Sequence, residues 1–215
     1  MTSRAFQACS VKVPRQAGLV KYGVLLFLAV LLSSCVVSSS DPLGYEVDGR
    51  AYRKLTVENA SIKVSLWDQK AWLVNEKDEA VLVTDIATGV PGKETPQGTF
   101  EILERLETKR SNRYGKYVDE ATGKVVIEKA WEHDGPPPEG VIYEGISMPY
   151  WMRLTWDGVG MHVGHFKKRT RSSFGCIRVY EKAQPKIYEK TQLGTPVEII
   201  AESLRERYSV DAGWF

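Results

Sequence analysis

The sequence predicts a mostly β domain with one or two short helices, and three observations carry that prediction. Ile62-Lys63-Val64-Ser65-Leu66 alternates apolar and polar residues, the period of a strand with one buried face. Gly89 to Gly98 (GVPGKETPQG) is a dense cluster of turn formers that interrupts regular structure. One stretch alone, residues 181–192, has helical spacing, with Ala183, Ile187 and Tyr188 as its apolar positions.

The elements follow in order. A turn at Asp68-Gln69 separates the first strand from Ala71-Trp72-Leu73-Val74, and Ala80-Val81-Leu82-Val83-Thr84 completes a meander. Thr99 to Leu103 reads as the next strand. Residues 104–146, with Arg110–Asp119 and Pro136-Pro137-Pro138, read as a polar excursion, and a loop of this length in a compact domain is functional or partly disordered. Met148 to Trp156 and Gly160 to Val163 resume the strand pattern. Gly194-Thr195-Pro196 ends the helix, and Val197–Ile200 is a closing strand. Ahead of all these, Val37 to about Asp48 is polar and turn-rich, the composition of a tether. There is no internal repeat and no sign of a second domain.

The amino terminus reads as an address. Residues 1–34 carry Arg4, Lys12, Arg15 and Lys21 and no acid, and the apolar run Val24–Leu32 follows. That run is about half the ~20 residues a spanning helix needs, so a cleaved signal peptide is expected rather than a permanent anchor. Leu32-Ser33-Ser34-Cys35 resembles a bacterial lipobox, whose cysteine is diacylated and becomes the first mature residue. The competing reading is an ordinary signal peptide with a chance cysteine beside its cleavage site. On the lipobox resemblance, Val36 in place of Asp points to the outer membrane, with the domain on the periplasmic face. The layout is then a lipoprotein signal peptide at 1–34, a lipidated tether at 35–58, a folded domain at 59–202 and a tail at 203–215. The whole chain holds 29 basic and 27 acidic residues; the signal segment accounts for four of the basic ones, which leaves 25 against 27. No global basic field remains to recruit nucleic acid.

The chemistry concentrates near Cys176. A lone cysteine is most often a buried core thiol. Against that, Cys176 has no disulfide partner once Cys9 is removed and Cys35 is lipidated, in a compartment that oxidises spare thiols. His162, separated from it by thirteen residues, is placed to hold the sulfur as a thiolate nucleophile, and Gly175 lets a carbonyl approach the backbone. Spacing alone leaves the two readings level.

His162 together with Ser173-Phe174-Gly175-Cys176-Ile177-Arg178 resembles the signature of the L,D-transpeptidase catalytic domain (YkuD-type): a His, a variable span, then Ser/Thr-His-Gly-Cys, a hydrophobic residue, and Arg or Asn. Ile62–Leu66 with Gln69, Thr88-Gly89 through Thr95-Pro96-Gln97-Gly98-Thr99-Phe100, Ser147-Met148-Pro149-Tyr150-Trp151, and Gly194-Thr195-Pro196-Val197 are also similar to that family, in the right order. The resemblance implies a β-sandwich or barrel-like domain and no cofactor. It makes Cys176 the nucleophile, His162 its base, and the Val163 carbonyl the group that orients the imidazole. Gly175 and Cys176 supply oxyanion donors, Ser173 braces the loop, and Arg178, Met148, Tyr150 and Tyr117 meet the substrate. The implied reaction is attack on the third residue of a peptidoglycan stem tetrapeptide, loss of D-alanine, and transfer of the acyl group to an amine, on another stem or on a protein lysine.

One position departs from the signature. Phe174 stands where the family has a histidine, and a phenyl ring neither donates, accepts nor carries a proton. His165 is the nearest candidate substitute. The runner-up readings are a weakly active or inactive lipid-anchored module that binds peptidoglycan, and an L,D-carboxypeptidase that uses water as acceptor. A zinc site built from His162, His165 and Cys176 is disfavoured, because residues three apart on a strand face opposite ways and no fourth ligand is evident. Lys167-Lys168-Arg169-Thr170-Arg171 lacks an aromatic stacking platform for nucleic acid and reads as a solvated loop. Tyr114, Tyr117 and Trp131, inside the long excursion, are the candidates for lining a cleft.

Overall fold

The alternation at Ile62–Leu66 becomes strand β2 (Ser61–Ser65), whose Ile62 and Val64 are fully buried. A computed structural model of the chain describes residues 44–208, so the signal segment 1–34, Cys35 and the last residues of the tail lie outside the described residues. Strand β3 (Lys70–Val74) pairs antiparallel with β2, and β4 (Ala80–Ala87) with β3, giving the expected meander. β4 runs three residues beyond the expected Thr84. Asp85 looks like a terminator, yet it is buried because Lys70, Lys168 and the Gly44 N–H all meet its carboxylate.

That extra length joins the two halves of the sheet. The body of β4 pairs with β3, whereas Ile86 and Ala87 pair with β12 (Ile177–Val179). Beyond β12 come β11 (Gly160–Val163), β10 (Trp151–Arg153) and β6 (Glu104–Leu106); beyond β2 come β13 (Pro196–Ile200) and β5 (Gly98–Glu101). Among the described residues the strand pairings β11 with β12 and β13 with β2 are parallel. The main core includes Ile62, Val64, Leu73, Leu82, Ile86, Met152, Met161, Ile177, Val197 and Ile199. Ile187 is driven into it from the helix Gln184–Glu189, which is shorter than the expected 181–192 because Pro185 sets its first turn and Thr191 closes the last, donating to the Ile187 carbonyl.

Three segments are more structured than their sequences suggest. Within the presumed tether, Tyr45–Val47 form β1 against β4, and Gly49–Lys54 form a helix whose first N–H groups, at Arg50 and Ala51, are capped by the Asp48 carboxylate. A three-residue strand and a six-residue helix are too short to register as periodicity. In the presumed tail, Leu204 and Tyr208 are buried against Trp72, Val74 and Val83, the residues that β3 and β4 turn to the face opposite the main core. Asp68 fixes that segment, accepting from the Leu204 N–H at 2.8 Å and pairing with Arg205 at 3.0 Å. The polar excursion is corrected most. It supplies β6 to the main sheet and then a separate antiparallel sheet of β8 (Val125–Ile127), β7 (Arg110–Asp119) and β9 (Val141–Ser147). Few residues of that small sheet are buried, so it carries no apolar alternation to read.

Candidate active site

His162 sits on β11, and Cys176 immediately precedes β12; the parallel register sets Met161 beside Ile177 and His162 beside Arg178. In that register Cys176 falls level with Gly160, two residues before His162, so the two side chains share a face of adjacent strands. Both line the same cleft, with Ser173, Val163, Met148 and Arg178. His162 Nδ1 lies 2.7 Å from the Val163 carbonyl oxygen. A carbonyl only accepts, so Nδ1 carries the proton and Nε2 keeps the basic lone pair.

Burial governs both ionisations. His162 is 6% exposed, and burial lowers its pKa from 6.5 to about 4, with the positive charge of Arg178 adding to the effect and the Val163 hydrogen bond opposing it. Burial also pushes the Cys176 thiol up, although the Gly160 N–H and the charges of Arg178 and Arg153 favour the thiolate. The Cys176 Sγ donates instead toward the Gly158 carbonyl at 3.6 Å. Burial thus disfavours the charged form of both groups at rest, opposing the thiolate that spacing suggests. Desolvation opposes both charges of an ion pair, and sequence spacing carries no measure of it.

The nucleophile loop is held from one side by the turn after β4. The Ser172 and Ser173 N–H groups donate to the Thr88 carbonyl at 2.9 and 3.1 Å, and Val90 N–H donates to the Ser173 carbonyl at 3.0 Å. Gln69 in turn grips Thr88, accepting its N–H at 3.0 Å. Thr95 is the link the sequence reading passed over. Its buried Oγ1 accepts from Gly89 N–H at 3.0 Å and donates to the Gly175 carbonyl at 2.8 Å. The signal was present in the Thr-Pro turn, to which no role had been given. Gly175 has φ +109°, a conformation that side chains resist, so this position requires glycine for its backbone rather than for space.

Ser173 ties the nucleophile loop to itself. Its Oγ donates to the Cys176 carbonyl at 2.5 Å and accepts from the Gly175 N–H at 3.3 Å. That second contact qualifies the oxyanion expectation, because the Gly175 amide is already engaged at rest. Arg178 Nη1 donates to the His165 carbonyl at 3.3 Å, and its own pKa is lowered by burial. His165 is exposed at the cleft wall.

Phe174 meets the small sheet. Its ring lies 5.0 Å from Tyr114 on β7 and 6.1 Å from Trp131, and those two rings meet edge-on at 5.5 Å. Tyr114 and Phe174 line two clefts that meet at Cys176, one of about 470 Å³ beside His162 and one of about 350 Å³ beside Lys109 and Arg153. Met148 lines both. The remaining expected contacts fall elsewhere. Tyr117 packs its ring on His133 and Tyr143, and Tyr150, at φ +54°, packs on Tyr188; neither lines either cleft.

Residues 59–199 match the L,D-transpeptidase (YkuD) catalytic domain, and the chain belongs to that family. Among curated proteins, none matches this chain. Among solved structures, an L,D-transpeptidase from Stackebrandtia nassauensis is 20% identical, covering 67% of this chain and 56% of that one, with a TM-score of 0.49. One from Mycobacterium smegmatis is 19% identical over 66% of this chain and 59% of the other, at a TM-score of 0.47. The catalytic domain of the Enterococcus faecium L,D-transpeptidase is 24% identical over 66% of this chain and 98% of its own length, at 0.44. The chain thus spans less than two thirds of the first two relatives.

Proposed function

We propose that this protein is an active peptidoglycan L,D-transpeptidase with Cys176 as nucleophile and His162 as general base. The observation that carries the reading is the 2.7 Å hydrogen bond from His162 Nδ1 to the Val163 carbonyl, which leaves Nε2 as the free base in the cleft that Cys176 lines. The thiol proton passes to Nε2 as the sulfur attacks the carbonyl of the third residue of a stem tetrapeptide. The tetrahedral oxyanion collapses, the C–N bond to the terminal D-alanine breaks, and the imidazolium returns its proton to the departing amine. An amine acceptor then attacks the thioester, and the thiol is regenerated. Because burial disfavours the thiolate at rest, proton transfer accompanies attack. The Gly175 N–H donates to the oxyanion by exchanging Ser173 Oγ for it, while Ser173 keeps its bond to the Cys176 carbonyl.

Incubating the full chain with tetrapeptide muropeptides and measuring intact mass tests this. The expected result is an acyl-enzyme together with free D-alanine, both lost in Cys176→Ala with the fold retained. No adduct and no D-alanine would favour the binding-module reading; an adduct surviving in Cys176→Ala would mean another nucleophile. Competing amines against water then separate transfer from hydrolysis. The lipobox pattern further supports anchoring through Cys35 at the periplasmic face of the outer membrane. Intact mass of protein recovered from cells reads this directly: an unmodified Cys35 overturns it.

A further inference from the structure

The two clefts meeting at Cys176 differ in chemistry. The larger is walled by Ile146, Met148, Pro149 and Val163, and its guanidinium, Arg178, is tied to a backbone carbonyl. The smaller is lined by Lys93, Lys109, Arg113 and Arg153 against two acids, Glu94 and Asp157. Arg153 is neutralised by Glu104 at 3.2 Å, and Glu94 turns back to the Gly92 N–H at 2.8 Å. Lys109 and Arg113 are held by rings instead: the Lys109 ammonium lies 5.5 Å from the centre of Trp151, and the Arg113 guanidinium 5.4 Å from that of Tyr114. A ring positions a cation without cancelling its charge. Among the described residues, no carboxylate forms an ion pair with Lys93, Lys109 or Arg113. The three cations without an ion pair outnumber the two acids, Glu94 and Asp157, and an excess of positive charge in a concave site raises the local concentration of an anionic ligand.

We propose that this smaller cleft is a carboxylate subsite: it binds a free carboxylate of the peptide whose carbonyl meets Cys176, with Lys109 and Arg113 as the recognising side chains. The subsite deepens the transpeptidase reading and rests on it for the identity of the peptide. Two carboxylates share the required chemistry, that of the terminal residue and one on the side chain of the residue attacked.

The test is binding to the full-length Cys176→Ala protein, which needs no turnover. The probes are synthetic L-Ala-γ-D-Glu-diaminopimelyl-D-Ala and two amides of it, one at the terminal carboxylate and one at the diaminopimelyl carboxylate. Lys109→Met and Arg113→Gln should each raise Kd for the free acid roughly two- to fivefold, the size of an exposed ion pair. One of the amides should lose a similar factor, and that amide should be insensitive to both substitutions and to added salt. Whichever amide behaves so identifies the carboxylate. Unchanged affinity in both variants, equal losses for the acid and both amides, or no binding of the tetrapeptide would overturn the subsite. If one variant proves unstable in urea, the other carries the comparison. A protein that binds in this pattern but forms no acyl-enzyme would sink the transferase reading and leave the subsite standing.

Discussion

Replacing His162 with glutamine should flatten the acid side of this protein's stability profile. In the folded chain the imidazole is buried and its pKa is lowered from 6.5 to about 4. Between those two values the unfolded chain binds a proton that the folded chain refuses. Stability therefore falls as pH drops from about 6.5, and the loss levels off below about 4, where both states are protonated. The span from 6.5 to 4 at about 1.4 kcal/mol per pH unit gives roughly 3 kcal/mol. Glutamine keeps a side-chain amide and has nothing to titrate. Urea unfolding of both proteins at intervals from pH 4 to 7 measures the difference, and groups common to both cancel. The wild type should lose roughly 3 kcal/mol more than His162→Gln over that range. Parallel curves would refute the claim that this imidazole is held neutral by burial. The same ionisation should place the acid limb of acyl-enzyme formation near pH 4 instead of 6.5.

Two further substitutions test how the site is held. Thr95→Val keeps shape but deprives the Gly175 carbonyl and the Gly89 N–H of their partner, at about 1–3 kcal/mol for each buried group left unsatisfied; urea unfolding should show the loss, and acylation by Cys176 should slow even where the protein remains folded. An unchanged acylation rate would mean that Thr95 stabilises the turn without positioning the nucleophile. Phe174→Ala removes two ring contacts between the nucleophile loop and the small sheet, each worth about 0.5–1.5 kcal/mol. Hydrogen exchange should quicken across residues 110–147 and not in β2–β4, and uniform protection would show that the rings do not fasten that sheet.

The parts of the fold legible in the sequence are those with a buried face. Ile62 and Val64 announced β2 because their neighbours Ser61 and Lys63 are partly solvated, whereas the small sheet, exposed on much of its surface, offered no contrast to detect. Cys176, His162, Ser173 and Val163 stand out only through the family signature, since spacing alone leaves a core thiol and a nucleophile level; the fold places all four around one cleft. Composition marks Tyr114 and Tyr117 alike as cleft candidates, but they are three positions apart on one strand, an odd separation that turns the two rings to opposite faces, and of the two only Tyr114 reaches the clefts. The desolvation that works against charge at His162 and Cys176 depends on how the sheet packs around them, which no local pattern encodes.

The parallel pairing of β13 with β2 has a consequence for biosynthesis. Val197 lies opposite Ile62 and Ile200 opposite Ser65, so the first long strand of the domain acquires its outer neighbour only when the last is made. Contacts of such long separation form late. A chain interrupted before residue 196 presents β2 as a bare, apolar edge, able to pair with another copy of itself. Synthesis of β13 is therefore also the step that seals this sheet.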